Sequence, residues 1–331
     1  MRRARVVSVS EERNRAELEL LDGPLAGQTV PGLFYRRLGP APSPGEIVLA
    51  NTSGLEMGLG TGGVAIIMPS SGGEAPENED HFVKLPYTPL QFPVSSAPQA
   101  ATLGGVPVVV LPLHSHLAPA CCASAALWPG CRVAFVWQEG GALPVAFSES
   151  VRQLKERHLL HTVISCGNCF GGDAESPNVY AGLLAAADAD LVLAGIGPGV
   201  IGTATPYGHG GMSSAIALNA ALSLGAEPVL APRISLVDAR TRHRGVSHHT
   251  RAALSATLGG CRVAIPDGVP EGLVKGLPEL HSYVNASFDA AGLEERFGVT
   301  FGSMGRSYSQ DRIFFDAAAA AVAVALGEGD G

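Results

Sequence analysis

The first part of the chain carries short runs in which apolar and polar residues alternate. The runs are ARVVSVS, RAELELL, GEIVLANT, VAIIMP and HFVKLPY, separated by turn-rich segments such as DGPLAG and GPAPSPG. Alternation with a period of two predicts strands that bury one face, and no run has a helical period. We therefore predict a small all-β domain over residues 1–90, a barrel or a sandwich, in which the glycine-rich NTSGLEMGLGTGG forms a loop.

After Gly105 the pattern changes to continuous apolar runs, each followed by a segment rich in Ala and Leu. The apolar runs are VPVVVLPL, CRVAFVWQ, HTVIS, ADLVLAGIG, EPVLAPRISLV and CRVAIP. Continuous apolar strands alternating with helices are typical of a parallel sheet covered on both faces. We predict a doubly wound α/β domain with a mostly parallel sheet over residues 100–331. Ligands of such sheets bind beyond the carboxyl ends of the strands, so the loops there are the first place to look for function.

Composition excludes several classes of protein. The chain has 331 residues, a net charge of -8 and a pI near 5.7. Proteins that bind nucleic acid generally need a basic surface, so we expect no nucleic-acid partner. The late apolar stretch AAAAAVAVALG is too short to cross a bilayer, and the amino terminus lacks the apolar core of a signal peptide. With six cysteines in the whole chain, we expect a cytoplasmic protein that contacts no membrane.

Residues 238 to 251, DARTRHRGVSHHTR, hold four arginines and three histidines in a chain that is otherwise poor in charge. Arg240, Arg242 and Arg244 predict a binding site for a small anion such as a phosphate or carboxylate. The alternative is an exposed arginine-rich helix start, or a contact between copies of the chain in a homo-oligomer.

The same segment predicts a helix that begins after Ser247 as its N-cap residue, and this helix start, with Ser247, is expected to help hold the anion. His248 and His249 would then lie in the first turn, where the partial positive charge of the helix end lowers the pKa of an imidazole. Neutral imidazole binds metal ions and acts as a general base. His248 and His249 are therefore candidate catalytic residues and candidate ligands of a divalent metal.

The segment GIGPGVIGTATPYGHGG follows the fourth apolar run. Gly197, Gly199 and Gly202 match the spacing G-x-G-x-x-G, in which backbone amides approach a phosphate. We predict that this loop, with Thr203 and His209, contacts an anionic ligand; a purely structural role is the alternative. Binding of a nicotinamide dinucleotide is a weaker alternative, because the predicted helix starts well after the glycines.

Polar residues also follow the first and third apolar runs. His114 and His116 are expected to form hydrogen bonds within a turn. Asp173 follows a glycine pair in SCGNCFGGDAESPN and is a candidate catalytic carboxylate, with an Asx turn as the alternative. Cys166 and Cys169 form a CxxC pair without a second pair at zinc-finger spacing, which disfavours a redox or zinc role.

Six motifs together resemble a known bacterial family, classed as domain of unknown function number 3866. They are NTSGLEMGLGTGG, LPYTPLQFPV, GGALP, FGGDAESPN, GPGVIGTATPYGHGG and RISLVDARTRHRGVSHHT. The resemblance extends over nearly the whole chain, and the last motif is the most specific. It implies the domain arrangement and the choice of motifs, and it supplies no reaction.

These observations favour an enzyme that binds a small phosphorylated or carboxylated metabolite at the carboxyl edge of the sheet. The histidines would provide acid–base or metal-assisted chemistry, and the arginines would compensate the charge of the ligand. The alternative from another class is a non-catalytic protein that senses an anion or acts as a scaffold. A nicotinamide-dependent oxidoreductase is the weaker third hypothesis.

Overall fold

The computed structural model describes residues 1–58, 63–70, 82–203 and 205–327. It divides the chain into two compact units, Met1–Ser95 and Ser96–Gly331. The prediction of an all-β domain followed by an α/β domain is confirmed.

The first unit contains a closed five-stranded barrel with the strand order β1-β2-β3-β5-β4. Its strands are β1 (Arg2–Ser10), β2 (Arg15–Leu20), β3 (Thr29–Leu33), β4 (Ile47–Asn51) and β5 (Ala65–Ile67). Alternate residues such as Ala4, Val6, Leu18 and Leu20 fill the interior, as the period of two predicts. Closure leaves no unpaired strand edge in the barrel.

Two small elements complete this unit. The short strands β6 (Val83–Lys84) and β7 (Phe92–Pro93) pair as an antiparallel ribbon. A single helical turn, α1 (Ser53–Glu56), lies in the glycine-rich segment for which the sequence predicted only a loop. Residues 59–62 of that segment lie outside the described residues.

The second unit is built on an eight-stranded parallel sheet with the order β11-β10-β9-β12-β8-β13-β16-β17. Its strands, with those of two small antiparallel ribbons, are β8 (Val108–Leu111), β9 (Val133–Gln138), β10 (Thr162–Cys166), β11 (Ala174–Ser176), β12 (Leu191–Ile196), β13 (Val229–Leu230), β14 (Ile234–Ser235), β15 (Gly245–Val246), β16 (Arg262–Pro266), β17 (Ser282–Ala286), β18 (Gly302–Ser303) and β19 (Arg306–Ser307). The strands β14 and β15 pair with each other, as do β18 and β19. The six predicted apolar runs contain β8, β9, β10, β12, β13 and β16, whereas the edge strands β11 and β17 were not predicted.

Helices cover both faces of the sheet. They are α2 (Leu117–Leu127), α3 (Glu149–Glu156), α4 (Val179–Ala185), α5 (Ser213–Ser223), α6 (His248–Ser255), α7 (Glu271–Val274), α8 (Leu293–Phe297) and α9 (Arg312–Ala325). One core contains residues of α2, α3, α8 and α9, and the other contains residues of α4, α5 and α6. The alanine-rich α9 is buried along most of its length. Among the described helices, none is both long and apolar enough to cross a lipid bilayer.

The order of the strands creates a switch in topology at the centre of the sheet. The chain leaves β8 through α2 on one face, whereas it leaves the neighbouring β12 and β13 through α5 and α6 on the other face. The loops after these central strands therefore diverge and leave a crevice beyond their carboxyl ends. This is the usual location of a ligand site in a doubly wound sheet.

Candidate active site

The loop after β12 brings His209 to this central crevice. Gly202 and His209 form an antiparallel bridge, and the Gly210 amide donates to the Ile201 carbonyl at 2.7 Å. A Cβ on Gly211 would lie 3.1 Å from the Cβ of His249, so glycine allows this loop to contact the start of α6 closely. The loops after the fourth and fifth predicted strands thus meet at one edge of the sheet.

The segment after β13 presents the other histidines. The ribbon of β14 and β15 folds the chain back, and the Ser247 amide donates to the Arg233 carbonyl at 2.9 Å. The Ser247 hydroxyl accepts from the His249 amide at 3.2 Å and therefore caps α6, as predicted. The same hydroxyl lies 2.8 Å from His243 Nδ1. One buried serine thus positions two imidazoles and the first turn of the helix.

Four imidazole rings, here called the histidine cluster, contact one another at this point. Their ring centroids are 3.9 Å apart for His209 and His249, 4.4 Å for His248 and His249, 4.9 Å for His243 with His248 and with His249, and 5.1 Å for His209 and His248. Such proximity is unfavourable for charged imidazoles and is acceptable only if the rings are neutral or bind a common cation.

Three members of the cluster can offer nitrogen atoms to one ion. His209, His248 and His249 each have one potential ligand atom, and these atoms lie within 4.8 Å of one another. His209 Nε2 donates to the Pro206 carbonyl at 2.9 Å, which leaves a lone pair on Nδ1. His209 Nδ1 and His248 Nε2 are buried without a hydrogen-bond partner. The arrangement thus holds two ring nitrogens without hydrogen-bond partners beside a third imidazole.

Burial keeps the cluster neutral at physiological pH. Burial, with a smaller contribution from the positive charge of Arg233, lowers the pKa of His249 to about 2 and that of His243 to about 3. Burial also lowers the pKa of His209 and of His248. Neutral imidazole is the form that binds a metal ion.

A second group of side chains, here called the arginine network, surrounds Asp238. Arg240 donates to both carboxylate oxygens of Asp238, at 2.9 and 3.0 Å, while Arg306 and Arg233 approach at 3.4 and 3.5 Å. Arg306 also donates to Asp311 at 2.9 Å. Burial of Asp238 opposes its ionisation, but the hydrogen bonds from Arg240 and the positive charges of Arg240 and Arg306 together outweigh burial and lower its pKa. Three guanidinium groups thus face two carboxylates, which leaves an excess of positive charge.

Arg233 links the arginine network to the histidine cluster. Its side chain is only 3% exposed, and burial lowers its pKa to about 10, so it remains charged at neutral pH. Its contacts are long: Nη1 lies 3.4 Å from His249 Nδ1, and Nη2 lies 3.4 Å from Met304 Sδ and 3.5 Å from Asp238. Charge-assisted hydrogen bonds are usually about 2.7–2.9 Å long. The Arg233 guanidinium can therefore donate stronger hydrogen bonds to an anion bound in the crevice.

The three arginines that the sequence predicted as anion ligands differ from Arg233 in exposure and in contacts. Arg240 binds Asp238 through both carboxylate oxygens, so its charge is largely compensated. Arg244 is exposed and donates from Nε to the Asp238 carbonyl at 3.2 Å. Arg242 is exposed and contributes, after burial and His209, to the lowered pKa of His248. Arg242 and Arg244 are therefore accessible to solvent, whereas the guanidinium of Arg233 is enclosed between the two groups of side chains.

The predicted contacts of the glycine loop with a ligand have a different explanation in the structure. A Cβ on Gly197 would lie 2.3 Å from the Ala142 carbonyl oxygen, and one on Gly202 would lie 2.7 Å from the Cβ of His209. Gly199 has a φ of 74°, which favours glycine. Thr203 closes the loop through hydrogen bonds with the Gly208 carbonyl. These residues shape the loop that carries His209, and none of these contacts indicates a phosphate cradle.

Two further predicted site residues have structural contacts instead of ligand contacts. Ser247 is fully buried. Its hydroxyl accepts a hydrogen bond from the His249 amide and forms another with His243 Nδ1. Asp173 pairs with Lys155, and its carboxylate accepts from the Val163 amide at 2.7 Å near the amino end of β10. The chain reverses after β10 so that β11 can run parallel beside it. This reversal places Asp173 at the amino ends of these strands, whereas the histidine cluster lies beyond the carboxyl ends. The structure therefore does not bring Asp173 to the site.

The CxxC pair is also divided by the fold. Cys166 packs in the core on the side of α4 and α5, and Cys169 packs in the core on the other face. Both cysteines are buried. Their placement in separate cores supports neither a redox pair nor a zinc site.

Sequence reasoning did not assign three residues of the site: His243, Arg233 and Asp238. His243 lies inside the arginine-rich segment, where its spacing from His248 gives no sign of contact. Arg233 lies in the apolar run EPVLAPRISLV, and a charged residue within such a run was the available signal, because arginine is rarely buried without a partner. Asp238 could have been recognised as the only acidic residue among four arginines.

Comparison with known proteins agrees with the resemblance seen in the sequence. No curated protein and no solved structure gives a significant match to the chain. A family model described as protein of unknown function (DUF3866) matches residues 32–322, which begin near the end of β3 in the barrel and include nearly all of the α/β unit. The chain belongs to the DUF3866 family.

Proposed function

We propose that the protein is an enzyme that uses a divalent metal ion, bound by His209, His248 and His249, to act on a small anionic substrate. The observation that carries this proposal is the convergence of three imidazole nitrogens within 4.8 Å of one another at the switch point of the sheet. Three histidines with a free coordination position are typical of catalytic zinc sites, and imidazole also suits iron, nickel and copper.

The chemistry of the donor atoms favours metal binding over general acid–base catalysis. An effective general base has a pKa near the working pH, whereas the pKa values of His249 and His243 are about 2 and 3. A metal ligand needs only an available lone pair, which His209 Nδ1 has, and His248 Nε2 lies beside it without a hydrogen-bond partner to lose. When bound, the ion would polarise the substrate or activate a water molecule.

His249 binds the ion only if its contact with Arg233 changes. A neutral imidazole has one lone pair, and Arg233 Nη1 approaches that of Nδ1 at 3.4 Å. This contact is longer than an ordinary hydrogen bond of about 2.7–3.2 Å, so its loss costs little. Movement of Arg233 from His249 toward a substrate anion would release Nδ1 and satisfy the guanidinium at the same time.

The arginine network supports an anionic substrate. Its three guanidinium groups carry more positive charge than its two carboxylates can balance. Arg233 is buried, and its ion pair with Asp238 is long, at 3.5 Å. A phosphate or carboxylate group is the complementary ligand, since it accepts paired hydrogen bonds from a guanidinium. The acidic chain as a whole and its ordinary number of six cysteines fit a cytoplasmic enzyme of a small metabolite.

The metal content of the purified chain tests the proposal. Mass spectrometry should find about one transition-metal ion per chain in the wild type. The His209→Ala, His248→Ala double variant should lose the ion, and the His158→Ala variant, which replaces an exposed histidine elsewhere, should keep it.

Two results would overturn the metal site. The first is a wild-type protein that contains no metal and takes up neither Zn²⁺, Fe²⁺ nor Mn²⁺ on titration. The second is a double variant that retains the ion. Either result would favour the alternative, a non-catalytic protein that binds an anion through its arginines.

A further inference from the structure

A separate cleft lies between the starts of α4 and α5, beyond the carboxyl ends of β9 and β10. Its volume is about 370 Å³, and its walls include Gln138, Tyr180 and Ile216. Small-molecule sites usually have volumes of about 300–1,000 Å³. No member of the histidine cluster lines this cleft among the described residues, so the proposed metal site does not account for it.

Gln138 supplies the observation that points to a ligand. It is the last residue of β9, and its side chain is only 5% exposed. Its Nε2 atom is buried and has no hydrogen-bond partner. An amide donor that is buried without a partner is unfavourable, and such groups are uncommon in native proteins. Because Gln138 lines the cleft, a rotation of its side-chain amide would let Nε2 donate to an acceptor atom of a molecule bound there.

The walls indicate the shape and charge of that molecule. Tyr180 on α4 and Ile216 on α5 are 43% and 53% exposed and offer an aromatic face and an aliphatic surface. Glu139 contributes a carboxylate to the lining, and none of the described lining residues is arginine, lysine or histidine. An anion is therefore disfavoured here, in contrast to the crevice beside Arg233.

We propose that this cleft binds an uncharged planar ring compound whose carbonyl oxygen or ring nitrogen accepts a hydrogen bond from Gln138 Nε2. The ring would stack on Tyr180 and contact Ile216 on its other side. Aromatic stacking and one buried hydrogen bond are a sufficient set of contacts for a small neutral ligand.

Benzamide is a suitable probe because it combines a planar ring with a carbonyl acceptor. Titration of the full chain, followed by NMR of the Gln138 side-chain amide, should show saturable binding with a dissociation constant of about 1 mM, the range for a fragment of this size. Benzoate has nearly the same shape and a negative charge, so it should bind at least about tenfold more weakly because of Glu139.

Variants test each wall of the cleft. Gln138→Leu should weaken benzamide binding about fivefold, the scale of one neutral hydrogen bond. Tyr180→Ala should weaken it by a similar factor and, as an exposed position, should leave the fold intact even if Gln138→Leu does not. Tyr207→Ala is the matched control, since Tyr207 is also an exposed tyrosine but lies in the loop of His209. It should bind benzamide like the wild type.

The outcomes separate this proposal from that of the metal site. The His209→Ala, His248→Ala double variant should bind benzamide normally, and Gln138→Leu should retain its metal ion. Absence of saturable benzamide binding, equal affinity for benzoate, or unchanged affinity in both Gln138→Leu and Tyr180→Ala would overturn the assignment of the cleft whatever the metal analysis shows.

Discussion

His114 and the histidine cluster follow neighbouring strands of one sheet, yet their imidazoles have different partners. His114 Nδ1 faces the Ile196 carbonyl at 3.1 Å, and Nε2 faces the Ser148 hydroxyl at 2.6 Å. A single neutral tautomer satisfies both contacts, with Nδ1 donating and Nε2 accepting. The ring packs against Trp137 with centroids 5.0 Å apart. His114 therefore behaves as a residue of the core.

The rings of the cluster face one another and a guanidinium group, and two of their nitrogens lack partners. Burial lowers the pKa of His114 to about 4, and it lowers the pKa values of the cluster as well. Burial and a neutral charge are thus common to both regions and do not distinguish them. The difference lies in whether each ring nitrogen already has a partner within the protein.

The largest expected difference between the regions is in stability. His114→Ala should lower the free energy of unfolding by about 3 kcal/mol, because it leaves a cavity and removes two buried hydrogen bonds. His248→Ala should lower it by less than about 1 kcal/mol, since this ring is only partly buried and its Nε2 has no partner to lose. Urea denaturation of both variants measures the difference. Equal losses of stability in the two variants would show that His114 and the histidine cluster do not differ in this respect.

The next effect concerns the affinity for an anion. Arg233→Gln should weaken binding of inorganic phosphate by about 2 kcal/mol, or about thirtyfold, the scale of a charge-assisted hydrogen bond. Arg242→Gln removes an exposed charge and should weaken binding by less than about 1 kcal/mol. Calorimetric titration at low ionic strength compares them. A larger effect of Arg242 would place the anion at the surface of the segment instead of in the crevice.

A smaller effect is expected at the N-cap of α6. Ser247→Ala should cost about 1 kcal/mol of stability, and it should also weaken metal binding about tenfold because the hydroxyl orients His243 and the first turn of the helix. Asn178→Ala removes the N-cap of α4 and is a matched control. It should cost similar stability without altering metal affinity. Identical metal affinity in the two variants would show that Ser247 has no positioning role.

The smallest effect is the response of His114 to mild acid. The pKa of His114 is about 4 in the folded protein, below its ordinary value of 6.5, so the unfolded chain binds the proton more readily. Its contribution to stability is complete above pH 6.5 and is lost as the pH falls toward 4, with a change on the order of 1 kcal/mol by pH 6. His114→Ala should therefore reduce the slope of stability against pH in denaturation measured between pH 7.5 and 6. An unchanged slope of stability against pH would contradict the lowered pKa of His114.

The sequence predicted the fold well where burial leaves a regular pattern. The continuous apolar runs that contain β9 and β12 are buried on both faces, and the alternation in β1 follows from a barrel with one buried face. The edge strand β17 has only one buried residue and shows neither pattern. Likewise β11 spans three residues beside a chain reversal, too few for a period to be detected.

The site was predicted only in part, for reasons that depend on tertiary packing. His209, His248 and His249 were identified because the carboxyl ends of parallel strands share an edge. Asp173 follows a strand as well, but the chain reverses and returns it to the opposite edge. Arg233 was assigned to a strand because its run is apolar, and the contact that gives it a role depends on a helix later in the chain. No local sequence pattern indicates the chain reversal before Asp173 or the contact of Arg233 with that later helix.

The position of β8 at the centre of the sheet has a consequence for synthesis of the protein on the ribosome. β8 pairs with β12 on one side and with β13 on the other, and β13 is made long after the first half of the sheet is complete. A nascent chain that ends before β13 therefore presents an unpaired strand edge beside the future crevice. Such edges attract other strands, so a chain at this stage of synthesis is open to wrong pairing until β13 covers β8.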